Sequence, residues 1–330
     1  MENAEFAGFT PLTFGPVASR RLGKSLGVNN IRPKVCSYSC VYCQLGNTSE
    51  NIVERRVFYQ PCDVLDEVRR RVDNATAKNE RIDYLTFVSD GEPTLDSNLG
   101  REISLLKRIG IPIAVLTNAS MLWLEDVRQD LLKADYVSLK VDAVSEDLWR
   151  RIDRPHKDLK LSTILKGIRD FAEAFNGTIV TETMLIDDID YENEFERIAA
   201  FLAELKKLNR AYVAVPTRPP TENYVKPARE EVANVAFQVF SEKLGVDRVE
   251  RLIGYEGNAF AFTGDVEEDL LSIMAVHPLR AEAVKELLRK ANAGWQIIEA
   301  LLVADKLVAV EYEGNMYYMQ KLKRKLGDGK

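Results

Sequence analysis

Cysteine and histidine are scarce in this chain, with four and two residues among 330. Four cysteines cannot staple a chain of this length as a disulfide framework. No run of about 18 or more uncharged apolar residues occurs, which excludes an ordinary membrane-spanning helix. The first ten residues, MENAEFAGFT, are acidic and lack the basic-then-apolar order of a secretory leader, so a cytoplasmic location without membrane contact is expected. Low-complexity tracts, long linkers and internal repeats are also missing. A formal net charge of −6 rules out coating nucleic acid through bulk electrostatics, although it leaves room for a local basic patch.

What is present is the composition of a globular protein, 46% hydrophobic and 29% charged, long enough for one large domain and a small appendage. From about residue 25 to 245, apolar strand-like runs alternate with amphipathic helix-like runs, the pattern of βα units on a parallel sheet. The strand candidates are SLGVNN from Ser25, IDYLTFV from Ile82, IPIAVLTN from Ile111, ADYVSLKVDA from Ala134, GTIVTETMLI from Gly177 and RAYVAVP from Arg210. Several are apolar at successive positions, as strands covered on both faces are. Val64, Leu65, Val68 and Val72 share one helical face, as do Ile164, Leu165, Ile168, Ala172 and Phe175, with Ser162 placed to cap the second helix. Six βα units are too few for an eight-stranded barrel. The reading is an α/β fold with a partial (β/α)6 barrel, its site at the C-terminal ends of the strands.

A core domain is assigned to residues 1–263 and a smaller domain to 264–330. The latter holds the helix candidates VEEDLLSIMAV, LRAEAVKELLRKAN and GWQIIEALLVAD, then the strands KLVAVEYEG and NMYYMQKL about a turn at Gly314–Asn315. Helices followed by a β-hairpin resemble a winged helix-turn-helix.

Cys36, Cys40 and Cys43 crowd into eight residues as Cys-x3-Cys-x2-Cys, in a loop directly after the first strand. A cubane [4Fe–4S] cluster has four irons, so three thiolates leave one iron open to a ligand that does chemistry. Structural zinc is the alternative. It usually takes four ligands at paired short spacings, and no second Cys or His pair stands nearby. Cys62 stands apart just before a helix, where a reactive thiolate is conceivable and a partly buried, inert thiol is the expectation. About fifty residues beyond the cysteines, the second strand ends in FVSDGEPTL. There a glycine at 91 lets backbone approach closely and a proline at 93 sets the turn.

The loop VCSYSCVYC, with aromatic Tyr42 before its last cysteine, resembles the signature of the radical SAM superfamily. Gly91, Glu92 and Pro93 match the superfamily's element for the amino group of S-adenosylmethionine (SAM). The resemblance implies one [4Fe–4S] cluster on Cys36, Cys40 and Cys43, and reductive cleavage of SAM to a 5′-deoxyadenosyl radical. It further implies a one-electron donor such as flavodoxin or ferredoxin. Thr117 and Asn118 at the third strand end, and Ser138, Lys140 and Asp142 at the fourth, occupy places where the superfamily sets polar groups around the cofactor's ribose and carboxylate. Glu182 and Thr183 on the fifth strand stand behind them. Polar residues also gather at strand ends simply because strands stop there.

The stretch GPVASRRLGKSLGVNNIRPKVCSYSCVYCQLG looks like the opening of a group related to the wyosine-type tRNA-modification enzymes, over about residues 10 to 245. True tricyclic-wyosine synthases carry extra cysteines ahead of the motif. This chain has none before Cys36, which speaks against pyruvate condensation onto a tRNA base.

Arg20 and Arg21, Arg154 and His156, and Arg218 are the substrate-facing candidates, as cations for a carboxylate or phosphate. Pairing with local acids is the competing reading for each. The C-terminal elements, with the KLKRK tail, suit an RNA or protein substrate, and their near-balanced charge favours protein or peptide contact over duplex DNA. The leading function is a radical SAM enzyme acting on an RNA base or another substrate. The alternatives are an activase that installs a glycyl radical on a partner protein and a non-catalytic iron–sulfur DNA-binding regulator.

Overall fold

The computed structural model describes residues 11–252, 260 and 262–321. The chain opens with an antiparallel hairpin of β1 (Thr13–Ser19) and β2 (Gly23–Val28). Two-residue strands β3 (Val35–Cys36) and β4 (Glu50–Asn51) pair across the base of the cysteine loop. Helices and strands then alternate as α1 (Pro61–Ala77), β5 (Tyr84–Phe87), α2 (Leu99–Leu106), β6 (Ile113–Thr117), α3 (Glu125–Leu131) and β7 (Tyr136–Lys140). After β7 come α4 (Glu146–Asp153), α5 (Leu161–Ala174), β8 (Thr178–Met184), α6 (Glu194–Glu204), β9 (Leu208–Ala214), α7 (Glu230–Leu244) and β10 (Val249–Leu252).

Strands β2 and β5 to β10 form one parallel sheet, and β1 lies antiparallel along its first edge. The six expected strands are β2 and β5 to β9. The sheet adds a seventh parallel strand, β10, whose sequence VERL carries two charges and does not read as a strand. The pleat explains the layering. On β7, Val137 and Leu139 join the large core under the helices, while Tyr136 points the other way and packs with Val180, Tyr212, Leu252 and Leu22. Leu22, in the β1–β2 turn, can share a cluster with Leu252 of β10 only because the sheet curls. Arg20 bridges the two edges, its Nη1 donating to the Leu252 carbonyl at 2.7 Å.

The helix faces follow the periodicity. Val64 and Val68 on α1, and Ile164, Ile168 and Ala172 on α5, are fully buried, with Phe175 just past the end of α5. Trp149, Phe171 and Phe240 are sealed in the same core, each contributing about 1.5–3 kcal/mol by burial. Ser162 does not cap α5: Lys160 holds that position and Ser162 falls in the first turn. Cys62 is likewise inside the first turn of α1, and it is exposed, contrary to the partly buried thiol expected.

The C-terminal part runs α8 (Val266–Val276), β11 (Leu279–Arg280), α9 (Ala281–Lys290), α10 (Gln296–Val303), β12 (Leu307–Tyr312) and β13 (Asn315–Gln320). Its three-stranded sheet has the order β11-β13-β12. The tight turn is Glu313–Gly314, both at positive φ, one residue earlier than the sequence suggested. Residues 322–325 of the basic tail lie outside the described residues. Leu270 and Ile273 of α8 and Val284 and Leu287 of α9 share one core with Phe14 and Val17 of β1. Buried Arg71 of α1 ties the same part down through Glu268 at 2.7 Å and Asp269 at 3.4 Å. Among the described residues no helix is long and apolar enough to cross a membrane.

Candidate active site

Every loop that follows a parallel strand leaves the sheet at the same end, and the cysteine loop lies there after β2. Two rails hold it. On one side, Val41 N–H donates to the Ile152 carbonyl (2.9 Å), Ser39 N–H to that of Asp153 (3.0 Å) and His156 N–H to that of Ser37 (2.8 Å). On the other, the segment after β9 crosses over it: Thr221 Oγ1 donates to the Cys43 carbonyl (2.6 Å) and Glu222 N–H to that of Val41 (3.2 Å). The three cysteines are partly buried within this frame. Cys36 Sγ accepts from Tyr38 N–H (3.4 Å) and from Asn118 Nδ2 (3.5 Å).

The loop after β5 is pressed against the cysteine loop. Lys34 N–H donates to the Asp90 carbonyl (2.6 Å) and Glu92 N–H to the Val35 carbonyl (3.1 Å). A Cβ on Gly91 would lie 1.8 Å from the Val35 oxygen, so this glycine admits the close approach of the cysteine loop's own backbone. Glu92 is buried and fully engaged. Its Oε1 accepts from Thr94 N–H (3.0 Å), Thr94 Oγ1 (2.5 Å) and Thr117 Oγ1 (2.6 Å), and its Oε2 from Asn118 N–H (2.7 Å). Thr117 and Asn118 are thereby locked to the second strand end, and Pro93 starts the turn that carries Thr94.

At the C-terminal ends of β7 and β8, Lys140 Nζ contacts Glu182 (2.8 Å) and lies over the Tyr42 ring, 4.7 Å from its centre. Arg21 contacts Glu182 from the other side (2.6 Å) and donates to Ser138 Oγ (3.1 Å). Burial opposes both charges in the Lys140–Glu182 pair, but the partners outweigh it, holding Lys140 up and Glu182 well below the usual carboxylate range. Tyr42 donates its hydroxyl to Asp142, with Asp153 at 3.2 Å, and the Cys40 thiol donates to Asp153 at 3.4 Å. Burial first, then Asp142, pushes Asp153 upward.

The remaining cations are engaged in other ways. Arg154 pairs with Glu222 and reaches Tyr224, and His156 Nδ1 accepts from Asp158 N–H (3.3 Å). Arg218 donates to Gln44 Oε1 (2.8 Å) and contacts His277 Nε2 at 3.0 Å. Burial, then Arg218 and Arg20, lowers His277 well below its ordinary value, so its ring is neutral. Sequence reasoning did not single out Asp90, Asp153 or His277. Asp153 alone left a trace, as an acid on the apolar face of α4 beside Trp149 and Ile152.

Residues 31–202 match the radical SAM superfamily. The chain is 49% identical over 313 residues to a UPF0026 protein of Methanocaldococcus jannaschii, covering 94% of this chain and 97% of that one. It belongs to the radical SAM superfamily and to the UPF0026 proteins. A UPF0026 protein of Helicobacter pylori is 31% identical over 93% of this chain and 97% of its own length. The fold is shared with a radical SAM methyltransferase from Sphaerobacter thermophilus, at a TM-score of 0.52 and 14% identity, covering 70% of this chain and 66% of that one.

Radical SAM membership implies a [4Fe–4S] cluster and SAM, and the residues present fit them. Burial, then Glu92, pushes the Cys36 thiol up to about 12, and burial raises Cys40 and Cys43 as well. Three such thiols ionise together only when a metal's positive charge offsets their burial and mutual repulsion. Among the described residues no three Cys, His, Asp or Glu side chains converge on a single ion. A cubane spreads its ligands over separate irons and makes no such demand.

Proposed function

We propose that this radical SAM protein is an enzyme that holds one [4Fe–4S] cluster on Cys36, Cys40 and Cys43 and uses SAM to open a substrate by hydrogen abstraction. The carrying observation is the packing of a three-thiol loop, braced by backbone on both sides, against the strand-end loop of Gly91 and Glu92. When bound, the cluster and SAM supply the one-electron cleavage that yields the 5′-deoxyadenosyl radical. This chain's residues keep the thiols in register and cover the mouth against water. Tyr42, Thr117, Asn118, Ser138, Lys140 and Asp142 are the proposed walls of the SAM pocket, and a flavodoxin- or ferredoxin-like protein the electron donor.

An RNA base is the substrate class placed first. The opening segment's likeness to wyosine-type enzymes supports it, as does the C-terminal order helix, strand, helix, helix, strand, strand, with the last strand central, which resembles that of a winged helix. The test is anaerobic reconstitution with iron and sulfide, then dithionite and SAM, with 5′-deoxyadenosine quantified by mass spectrometry. Wild type should form it and Cys40→Ala should not. Equal product from both proteins would refute the assignment.

A further inference from the structure

Among the acids at the strand ends, Asp90 stands out by what it lacks. Its backbone is fixed, N–H to Asn29 Oδ1 (3.0 Å) and carbonyl to Lys34 N–H (2.6 Å). Its side chain is buried, the residue being 1% exposed, and neither carboxylate oxygen has a hydrogen-bond partner among the described residues. A buried carboxylate without hydrogen bonds forfeits hydration, and the charge of Lys34 offsets only part of that loss. Lys34 acts electrostatically on Asp90 and on Cys43 alike, which places the carboxylate on the cysteine-loop side of its strand end. Burial pushes Asp90 up to about 7 against that lysine.

Its neighbours are differently served. Glu92, two residues on, already accepts four hydrogen bonds, so its oxygens are committed within the protein. Glu102, the other buried acid with open oxygens, lies on α2 beside Asp96 and Asn30, which act on it directly.

We infer that Asp90, rather than Glu92, is the carboxylate that receives the amino group of SAM. The inference rests on the radical SAM reading above. SAM carries two cationic centres, and only the amino end has N–H donors, so only it answers both the charge and the open acceptor positions of a buried carboxylate.

The test measures binding without reductant, so that no turnover contributes. Cluster-loaded wild type, Asp90→Asn and, as a second variant, Asp90→Ser are titrated calorimetrically with SAM and with its analogue lacking the amino group. Iron content and thermal unfolding are followed in parallel. The expected result is a loss of SAM affinity of about tenfold or more in both variants, the size of one charge-assisted hydrogen bond. Analogue affinity should be the same in all three proteins, and the ligand-free variants should melt no lower than wild type. Wild-type SAM affinity in both variants would overturn the inference, as would equal losses for SAM and analogue. If the wild type bound no SAM, the radical SAM reading itself would fall and take the inference with it.

Discussion

Gly91→Ala tests whether the two loops of the site are held by direct backbone contact. The added methyl would sit 1.8 Å from the Val35 carbonyl oxygen and 2.8 Å from Ile31 Cδ1. No rotamer relieves a Cβ, and the first obstacle is backbone, so the strand-end loop and the cysteine loop must separate. Overpacking of this kind costs about 1–3 kcal/mol. Separation also strains the Glu92 N–H to Val35 bond, worth about 1 kcal/mol. The combined loss of about 2–4 kcal/mol should lower the thermal midpoint by several degrees and cut iron retained after reconstitution. Gly110→Ala is the control: its Cβ meets nothing within 4 Å, but its φ is +84°, so it carries a conformational cost of about 1 kcal/mol and no effect on iron. Scanning calorimetry and iron assay of both variants decide the matter. Wild-type stability and iron content in Gly91→Ala would refute the reasoning.

Glu92→Gln turns one carboxylate oxygen into an amide facing a donor, and should destabilise by about 2–4 kcal/mol in chemical denaturation. Arg21→Met takes one of the cations from buried Glu182, and a loss of about 2 kcal/mol is expected by the same measurement. Glu102 is pushed by burial from 4.5 up to about 9, so the folded chain keeps a proton that the unfolded chain releases. Its contribution is present below about pH 4.5 and is lost as pH rises towards 9. Glu102→Gln should therefore flatten the fall of the thermal midpoint over that range without abolishing it, since Asp90, raised to about 7, and Asp96, raised to about 6, keep a slope in its lower part.

The parallel sheet was legible because β2 and β5 to β9 are apolar on both faces and are spaced by amphipathic helices. β10 was not, since this edge strand has only four residues and turns Glu250 and Arg251 to opposite faces, where they meet Arg210 and Asn234. β1 was hidden for another reason: Gly15–Pro16 breaks its alternation, and its pairing with β2 slips between Phe14 and Val17. The cysteine loop could be read because its spacing is local. Asp90 and His277 could not, because their contacts run to Asn29, Lys34 and Arg218, more than fifty residues away, and Asp153 left only its place on the apolar face of α4.

The C-terminal elements bear on the site more directly than an appended reading head would. Gln44, one residue past Cys43, donates to the Val276 carbonyl at 3.0 Å, and its other end accepts from Arg218, which contacts His277. Arg280 donates to the Tyr317 hydroxyl (2.8 Å), which donates to the Thr217 carbonyl (2.8 Å) in the segment that crosses the cysteine loop. Leu45 packs into the C-terminal core. Removing these elements would therefore uncover Phe14, Val17 and Leu45 and take the Val276 carbonyl from Gln44 and the His277 ring from Arg218. The C-terminal elements are therefore held by the same wall that positions Cys43, and the two parts of the chain meet at Gln44 and Arg218.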